Sequence, residues 1–465
     1  MQLGDLFEHL SLDIATSSIE ITRVDIDSRE CELGSLFFAL PGANVNGINF
    51  VDDAVKRGAV CIVADRPLKI KTPAIVVATS HLHSLVALAS ALIVGNPESK
   101  AKLVGVTGTN GKTSVTTMLA SLARSLSWNA SSIGTLTNQR TTPAAPELFR
   151  SLAHAVDSFD GSNPHSMISM EVSSHALDQH RIDGLRFCVA AFTNLGHDHL
   201  DYHSSMEKYF EAKASLFTTE YAKRAVIWVD DEYGERLATT TNLPVTRVSR
   251  SDATEVSVSF SGSTFFWRDH LVNSPLIGGY NVDNALLAMS IMSCLGVADG
   301  LIAQAMGQVV SIPGRFEVLR GDNITAIVDY AHTPEGLARL LSDVRLMQPG
   351  GKIITVFGAG GDRDKEKRPE MGRVVSSQSD VTIVTSDNPR FEQPDAIIDA
   401  VMSGVVAGAD VIRYVDRREA IHQAFARAGV GDVVVLAGKG HETTQVVRGQ
   451  SSPFDDREIA KELLT

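Results

Sequence analysis

The stretch KLVGVTGTNGKTS, residues 102–114, joins an apolar run of strand length to the start of a helical pattern. Lys102 to Thr107 reads as a buried strand, and from Ser114 to Leu126 apolar residues recur at helical spacing. Between them, glycines let backbone N–H groups turn inward around phosphate oxygens. Lys112 brings positive charge to the outer phosphates, and a hydroxyl can ligate Mg²⁺. The strict GxxxxGK[ST] pattern would put glycine at position 106, where this chain has Val106. The nucleotide reading therefore rests on the Gly-Lys-Thr core and its strand–helix setting, with a plain glycine turn as the alternative.

Outward from the loop, Met167 to Val172 and Cys188 to Thr193 read as strands that end in polar residues. Strand, helix, strand with chemistry at strand ends is the grammar of a parallel sheet whose site lies at its carboxyl edge. On the N-terminal side, Leu36 to Leu40 and Ala59 to Ala64 read as strands and Asp52 to Arg57 as helix, before a polar linker at Asn96 to Lys100. On the C-terminal side, past Ile312-Pro313-Gly314, the runs Ile324 to Tyr330, Lys352 to Gly358, Val381 to Ser386 and Asp432 to Gly438 read as buried strands. Pro334 to Met347 reads as a helix between them. The expected fold is α/β in three domains: residues 1–98, a central P-loop-type parallel-sheet ATPase domain at 99–312, and a Rossmann-like domain at 313–465.

Length and composition agree. A chain of 465 residues, 44% hydrophobic and 21% charged, can build more than one core. A net charge of −13 argues against a dedicated nucleic-acid binder. The longest apolar stretch, Leu85 to Val94, is half the length of a bilayer span, and the acidic N-terminus does not read as a signal peptide, so a cytoplasmic protein is expected. Cys31, Cys61, Cys188 and Cys294 lie far apart and read as buried, reduced thiols.

Glu171-Val-Ser-Ser-His175 follows one predicted strand, and Thr193 to His203 (TNLGHDHLDYH) follows another. A carboxylate and a histidine on neighbouring strand ends can hold a hard cation beside nucleotide phosphates. The histidines at 197, 199 and 203 also admit zinc, and capping of strand ends is the blander reading.

TGTNGKT, MEVSSHALDQHR, FTNLGHDHLDYH and Lys213 in YFEAKASLF, in this order, resemble the Mur ligase family, ATP-dependent enzymes that form amide bonds in peptidoglycan precursor synthesis. Asp27-Ser28-Arg29 with LFFALPG resembles its N-terminal domain, and GGYNVDNALLA, PGRFE and VDYAHTPEGL resemble its ATP-site and C-terminal motifs. Gly361-Asp-Arg-Asp364, Asp387-Asn-Pro-Arg390 and Gly438-Lys-Gly-His-Glu442 are similar to the members that add the third residue to UDP-N-acetylmuramoyl-L-alanyl-D-glutamate.

That resemblance implies a set of roles. Gly108, Thr109, Asn110, Gly111, Lys112, Thr113, Ser114, Asn281, Arg315 and Asp329 would bind ATP. Thr113, Glu171 and His199 would hold Mg²⁺, joined by Lys213 as a CO₂-derived carbamate, with Lys112, Glu171, His199 and Lys213 catalytic. Ile26, Ser28, Ala43, Asn44 and Val45 would meet the uridine end of the acceptor, and Thr141, Thr142, Ser173, Gln179 and Arg181 its diphosphate, sugar and peptide. Arg363, Asp387, Asn388, Pro389, Arg390, Gly438 and Glu442 would bind the amino acid. A guanidinium pairs two-pronged with a carboxylate, so Arg390 points to meso-diaminopimelate, whose distal carbon carries one, over L-lysine. Lysine addition, a folylpolyglutamate synthase, a nucleotide switch and a zinc hydrolase remain as alternatives, and a monomer is the default assembly.

Overall fold

The computed structural model describes residues 1–12, 18–42, 45–69, 74–138 and 140–465. Arg23–Asp25 (β1), Ser35–Phe38 (β2), Ala59–Ala64 (β3) and Ile75–Ala78 (β4) form a parallel sheet in that order. Phe37 and Phe38 point to opposite faces and both are buried, as a parallel sheet covered on both sides requires. The apolar stretch around Leu85 to Val94 belongs to the helix Leu82–Ile93, which packs on this sheet and on the helix Ala145–Asp157. No helix among the described residues is long and apolar enough to cross a membrane.

The second sheet contains Lys102–Thr107 (β5), Asn129–Ile133 (β6), Ser166–Glu171 (β7), Val189–Phe192 (β8), Ala225–Trp228 (β9) and Val245–Val248 (β10). Its order is β10-β9-β8-β5-β7-β6, parallel throughout. One expectation changes here. The strands that present Glu171 and the 193–203 segment are not neighbours; β5 lies between them, so they flank the phosphate loop from either side. Ala253–Ser259 (β11), Gly262–Trp267 (β12) and His270–Ser274 (β13) form an antiparallel sheet that buries Phe265 and Trp267 against the helices Gly279–Cys294 and Asp299–Met306.

The third sheet takes Glu317–Arg320 (β14), Thr325–Asp329 (β15), Ile353–Phe357 (β16), Val381–Val384 (β17), Val411–Arg413 (β18) and Val433–Ala437 (β19) in the order β14-β15-β19-β16-β17-β18. Only β14 runs antiparallel. A hairpin, Thr444–Val447 (β20) with Gln450–Pro453 (β21), follows. Asp329, Gly358, Asp387 and Gly438 all stand at or just past carboxyl ends of strands, the edge expected to carry chemistry. All four cysteines are unbridged. Cys31 and Cys61 are buried, their thiols pushed up to about 12 chiefly by burial, whereas Cys188 and Cys294 are only half-buried.

Candidate active site

Gly111 takes φ +86, and a Cβ there would lie 2.5 Å from Asn284 Oδ1, so this turn of the phosphate loop takes glycine. The segment after β8 braces the loop: Asn110 N–H donates to Asn194 Oδ1 at 3.0 Å, and the Thr193 hydroxyl donates to Asn110 O at 2.6 Å. Lys112 Nζ donates to the carbonyls of Gly108 and Thr109, both at 2.9 Å. Burial lowers the Lys112 pKa against the opposing pull of Glu171 and Asp198.

Two chambers open on either side of the loop. One, about 290 Å³, is lined by Asn110, Gly111, Ser114, Asn284, Asp329 and Tyr330. The Asp329 carboxylate there accepts from Phe316 N–H at 2.7 Å and Tyr280 O–H at 2.8 Å. Asn281 lies one layer back: its amide donates to Ile277 O at 2.7 Å, and Asn284, one helical turn on, is the group on the wall. The other chamber, about 240 Å³, brings together Lys112, Thr113, Glu171 and His199 from the central unit with Arg315 and Arg390 from the C-terminal one. Arg315 stacks 4.4 Å from the Tyr330 ring and donates from Nη2 to Thr113 Oγ1 at 3.1 Å. Its Nε is buried without a hydrogen-bond partner, a donor that a phosphoryl oxygen would satisfy.

Glu171 accepts from the Thr135 N–H at 2.8 Å and from its hydroxyl at 3.3 Å, which fixes the carboxylate beside the loop. His199 sits at φ +57, a left-handed conformation that costs a non-glycine residue about 1–2 kcal/mol. Burial pushes its pKa down to about 3, so the ring is a neutral potential ligand at physiological pH. Lys213 does not line the chamber. It is buried behind the loop, its Nζ 2.8 Å from Gly108 O and 4.5 Å from the centre of the Tyr209 ring. Burial, then Lys112, holds its pKa well below that of an ordinary lysine.

Hydroxyl, carboxylate and imidazole donors around a phosphate loop fit Mg²⁺, which takes most of its ligands from water and phosphate. The zinc arrangement does not form. His197 Nε2 lies 3.0 Å from Asp364, His203 Nε2 lies 2.8 Å from Ser174 Oγ, and no three His, Cys, Asp or Glu side chains converge on a metal position among the described residues. Asp198 is a site residue the sequence did not single out. Burial would raise its pKa, but His332, Lys367 and His199 hold it well below the usual carboxylate range. Lys367 Nζ donates to it at 2.9 Å across the two units. His197–Asp364 and Asn110–Thr333 cross the same boundary.

In the C-terminal half of the chamber, Asn388 Nδ2 donates to Glu442 Oε2 at 2.7 Å, and Lys439 Nζ donates to the same oxygen at 3.0 Å. Arg390, at φ +53, is held in the backbone ladder by its N–H to Val446 O at 3.0 Å, and its Nη1 donates to Gly361 O at 2.6 Å. Burial lowers its pKa and neighbouring Arg363 adds to the effect, against Asp387 and Glu442. Pro389 is buried off the chamber wall, which Arg363, Asp387, Asn388, Gly438 and Glu442 all share.

Glu392 pins this half-site. It accepts from Arg368 Nη2 at 2.8 Å and from Asp362 N–H at 2.6 Å, clamping the Asp362–Asp364 loop to the segment after Arg390. The Arg368 hydrogen bonds bring its pKa to about 2 from an ordinary 4.5. A carboxylate depressed on folding adds stability that is full above its unfolded pKa and is lost as pH falls through the folded one. Glu392→Gln should therefore cost about 2–3 kcal/mol near neutrality and almost nothing at pH 2, as read by urea unfolding at the two pH values. An equal loss at both would show that the pair carries none of it.

Models of known families match in three stretches: "Mur ligase family, catalytic domain" over residues 20–124, "Mur ligase middle domain" over 106–292, and "Mur ligase, glutamate ligase domain" over 314–440. The chain is 36% identical to the UDP-N-acetylmuramoyl-L-alanyl-D-glutamate--2,6-diaminopimelate ligase of Aquifex aeolicus, over 98% of this chain and 96% of that one. It is 39% identical to the ligase of the same name from Gloeobacter violaceus, over 100% and 98%. The chain belongs to the Mur ligase family. A solved structure of a UDP-N-acetylmuramoyl-L-alanyl-D-glutamate--2,6-diaminopimelate ligase superposes on this Mur ligase with a TM-score of 0.67 and 29% identity, covering 100% of this chain and 99% of that one. It is an ATP-dependent ligase of the MurE type, acting in peptidoglycan synthesis.

A further cavity of this Mur ligase, about 920 Å³, lies between its first sheet and the central unit. Ile26, Ser28, Val45, Gln179 and Arg181 line it. Ala43 and Asn44 lie outside the described residues. Arg181 donates to Thr142 O at 2.8 Å and grips Gln179 Oε1. Thr141 lines the reactive chamber instead, while Thr142 and Ser173 support its wall: the Thr142 hydroxyl donates to Glu171 O at 2.8 Å and accepts from Ser173 N–H at 3.0 Å. Arg140, which precedes the threonine pair and lies outside the expected acceptor set, also lines the large cavity, as does His83, which nothing in its local sequence marks.

Proposed function

We propose that the chain joins meso-2,6-diaminopimelate to UDP-N-acetylmuramoyl-L-alanyl-D-glutamate, driven by ATP, in the cytoplasm. The observation that carries the choice of amino acid is Arg390. It lines the same chamber as the phosphate loop and sits close enough to Arg363 for the two cations to repel. A distal carboxylate relieves that repulsion and pairs with the guanidinium fork; the bare ammonium of lysine does neither. The relatives named as diaminopimelate ligases, which the chain matches over nearly its full length, support this choice.

The domain division 1–98, 99–312 and 313–465 assigns the acceptor's uridine end to the 920 Å³ cavity, ATP to the phosphate loop and its 290 Å³ chamber, and the amino acid to the C-terminal wall. A carboxylate is a poor acylating agent because its oxide leaving group is too basic. Transfer of the γ-phosphoryl group of ATP to the acceptor carboxylate gives an acyl phosphate and ADP; the incoming amine then attacks the acyl carbon through a tetrahedral intermediate that expels phosphate and loses a proton. Charge accumulates on phosphoryl and tetrahedral oxygens, so fixed cations and N–H donors are what the site must supply. Lys112 and the loop N–H groups hold the β- and γ-phosphates, and Arg315 meets the transferring group from the other unit. Asn388 and Glu442 orient the ammonium groups of the amino acid. Thr113, Glu171 and His199 would hold Mg²⁺, whose charge neutralises phosphoryl oxygens, with a carbamate on Lys213 as an anionic partner behind them. Juxtaposing amine and acyl phosphate is the role of the contacts that cross between the units, such as Lys367–Asp198.

The test is phosphate release by the purified protein with ATP, Mg²⁺ and the acceptor. Release should require the acceptor and be much faster with meso-diaminopimelate than with L-lysine. Preference for lysine would overturn the reading of Arg390 while leaving the ligase class intact.

A further inference from the structure

Arg417 opens the helix Arg417–Arg427 with none of its surface exposed, and its partner Asp456, the first residue of the helix Asp456–Leu464, is equally buried. The pair is two-pronged: Nε to Oδ1 at 2.9 Å and Nη2 to Oδ2 at 2.7 Å. A buried ion pair is seldom a source of net stability, because desolvating two charges offsets their attraction. A cation at a helix N-terminus also opposes the helix dipole. Core packing alone does not call for this guanidinium, yet its remaining donors have specific destinations. Nη2 donates to Ala437 O at 2.9 Å, and Nη1 reaches Ser386 O at 3.5 Å. Ala437 ends β19 immediately before Gly438, and Ser386 immediately precedes Asp387. Those two segments approach each other closely across the end of β16, which lies between their strands. A Cβ on Gly438, at φ +110, would lie 2.7 Å from Asp387 Oδ2. A small drift of either strand end would close or widen this part of the chamber.

We infer that Arg417, held by Asp456, is a positioning residue for the amino-acid half-site: it ties the carboxyl ends of β17 and β19 together from below, so that Asp387 and Gly438 present one rigid floor to the incoming amino acid. Asp387 and Glu442 also lie within electrostatic reach of its charge, so both are attracted toward it. Neither Asp387 nor Gly438 lines the 290 Å³ chamber assigned to ATP, so the effect falls on the amino acid. The inference rests on reading the C-terminal wall as the amino-acid site.

The experiment compares Arg417→Lys, Arg417→Met and Ile421→Ala in the full chain, measuring KM for meso-diaminopimelate, KM for ATP and the melting temperature. Lysine keeps the cation but, as a single ammonium, cannot serve Asp456 and both carbonyls at once. Ile421, buried in the apolar cluster under the same helix and unable to hydrogen-bond either carbonyl, controls for lost stability. The amino-acid KM should rise about tenfold in Arg417→Lys and further in Arg417→Met, with KM for ATP within about twofold, while Ile421→Ala melts earlier with both constants unchanged. Should Arg417→Met fail to fold, Arg417→Lys alone decides. A lowered melting temperature with an unchanged amino-acid KM in Arg417→Lys would make the pair merely structural and overturn the inference. Wild-type protein that releases no phosphate with diaminopimelate would instead sink the ligase reading itself.

Discussion

Arg390→Ala is expected to lower kcat/KM for meso-diaminopimelate by about two orders of magnitude, the loss of about 3 kcal/mol that follows when a desolvated charge pair is truncated. Nη1 is engaged by Gly361 O, and this is the only side-chain hydrogen bond of Arg390 among the described residues, so the rest of its donor fork is open to a ligand. The backbone N–H contact to Val446 survives substitution, and alanine meets the same left-handed φ that arginine does, so the fold should hold. L-lysine, which offers no distal carboxylate, should lose no more than about threefold. Arg390→Lys keeps charge without the planar fork and should recover only part of the activity. Phosphate release at varied amino-acid concentration reads all three. An equal loss for both amino acids would mean that Arg390 holds the carboxylate they share, and the basis for choosing diaminopimelate would be gone.

Most of this half-site was legible before the fold was known. Parallel strands buried on both faces read as plain apolar runs, which is why KLVGVT, Lys352 to Gly358 and Asp432 to Gly438 were found within a residue or two of their ends. The antiparallel insert β11–β13 was not. β11 is largely solvent-exposed and rich in serine and threonine, so its alternation carries little apolar contrast. Motifs found the residues along each chain segment, but not the partners that the assembled domains supply. Asp198, Lys367 and His332 meet only because two units face each other, and neither spacing nor composition encodes that meeting. Asn281 and Asn284 differ by one helical turn, and only the phase of the helix against the loop decides which side chain faces the nucleotide chamber.

Lys213→Ala is expected to lower kcat by about 100- to 1,000-fold with little change in the KM of ATP, the scale of removing one charge-stabilising group from a preorganised site. A lysine is an odd choice behind a loop that already holds Lys112, since two ammonium groups there repel. The structure removes the difficulty by burial: Lys213 is held well below its ordinary pKa, and a neutral amine is the form that adds CO₂. Addition of CO₂ to the neutral amine, with one N–H proton lost to solvent, gives an anionic carbamate beside Lys112 and within electrostatic reach of His199, so the charge balance of the loop improves. A surface lysine, almost fully protonated at neutral pH, would not react to the same extent. Three readouts separate this from a simple cationic role. Protein equilibrated with ¹³C-bicarbonate should show a carbamate carbon by NMR that Lys213→Ala lacks. Activity should fall in CO₂-depleted buffer and return with bicarbonate. Lys213→Arg, which keeps the positive charge, should be as inactive as alanine, while a small carboxylate such as formate should restore part of the activity of Lys213→Ala by occupying the space left behind. Arginine rescuing where formate does not would establish Lys213 as a cation and remove the carbamate from the site.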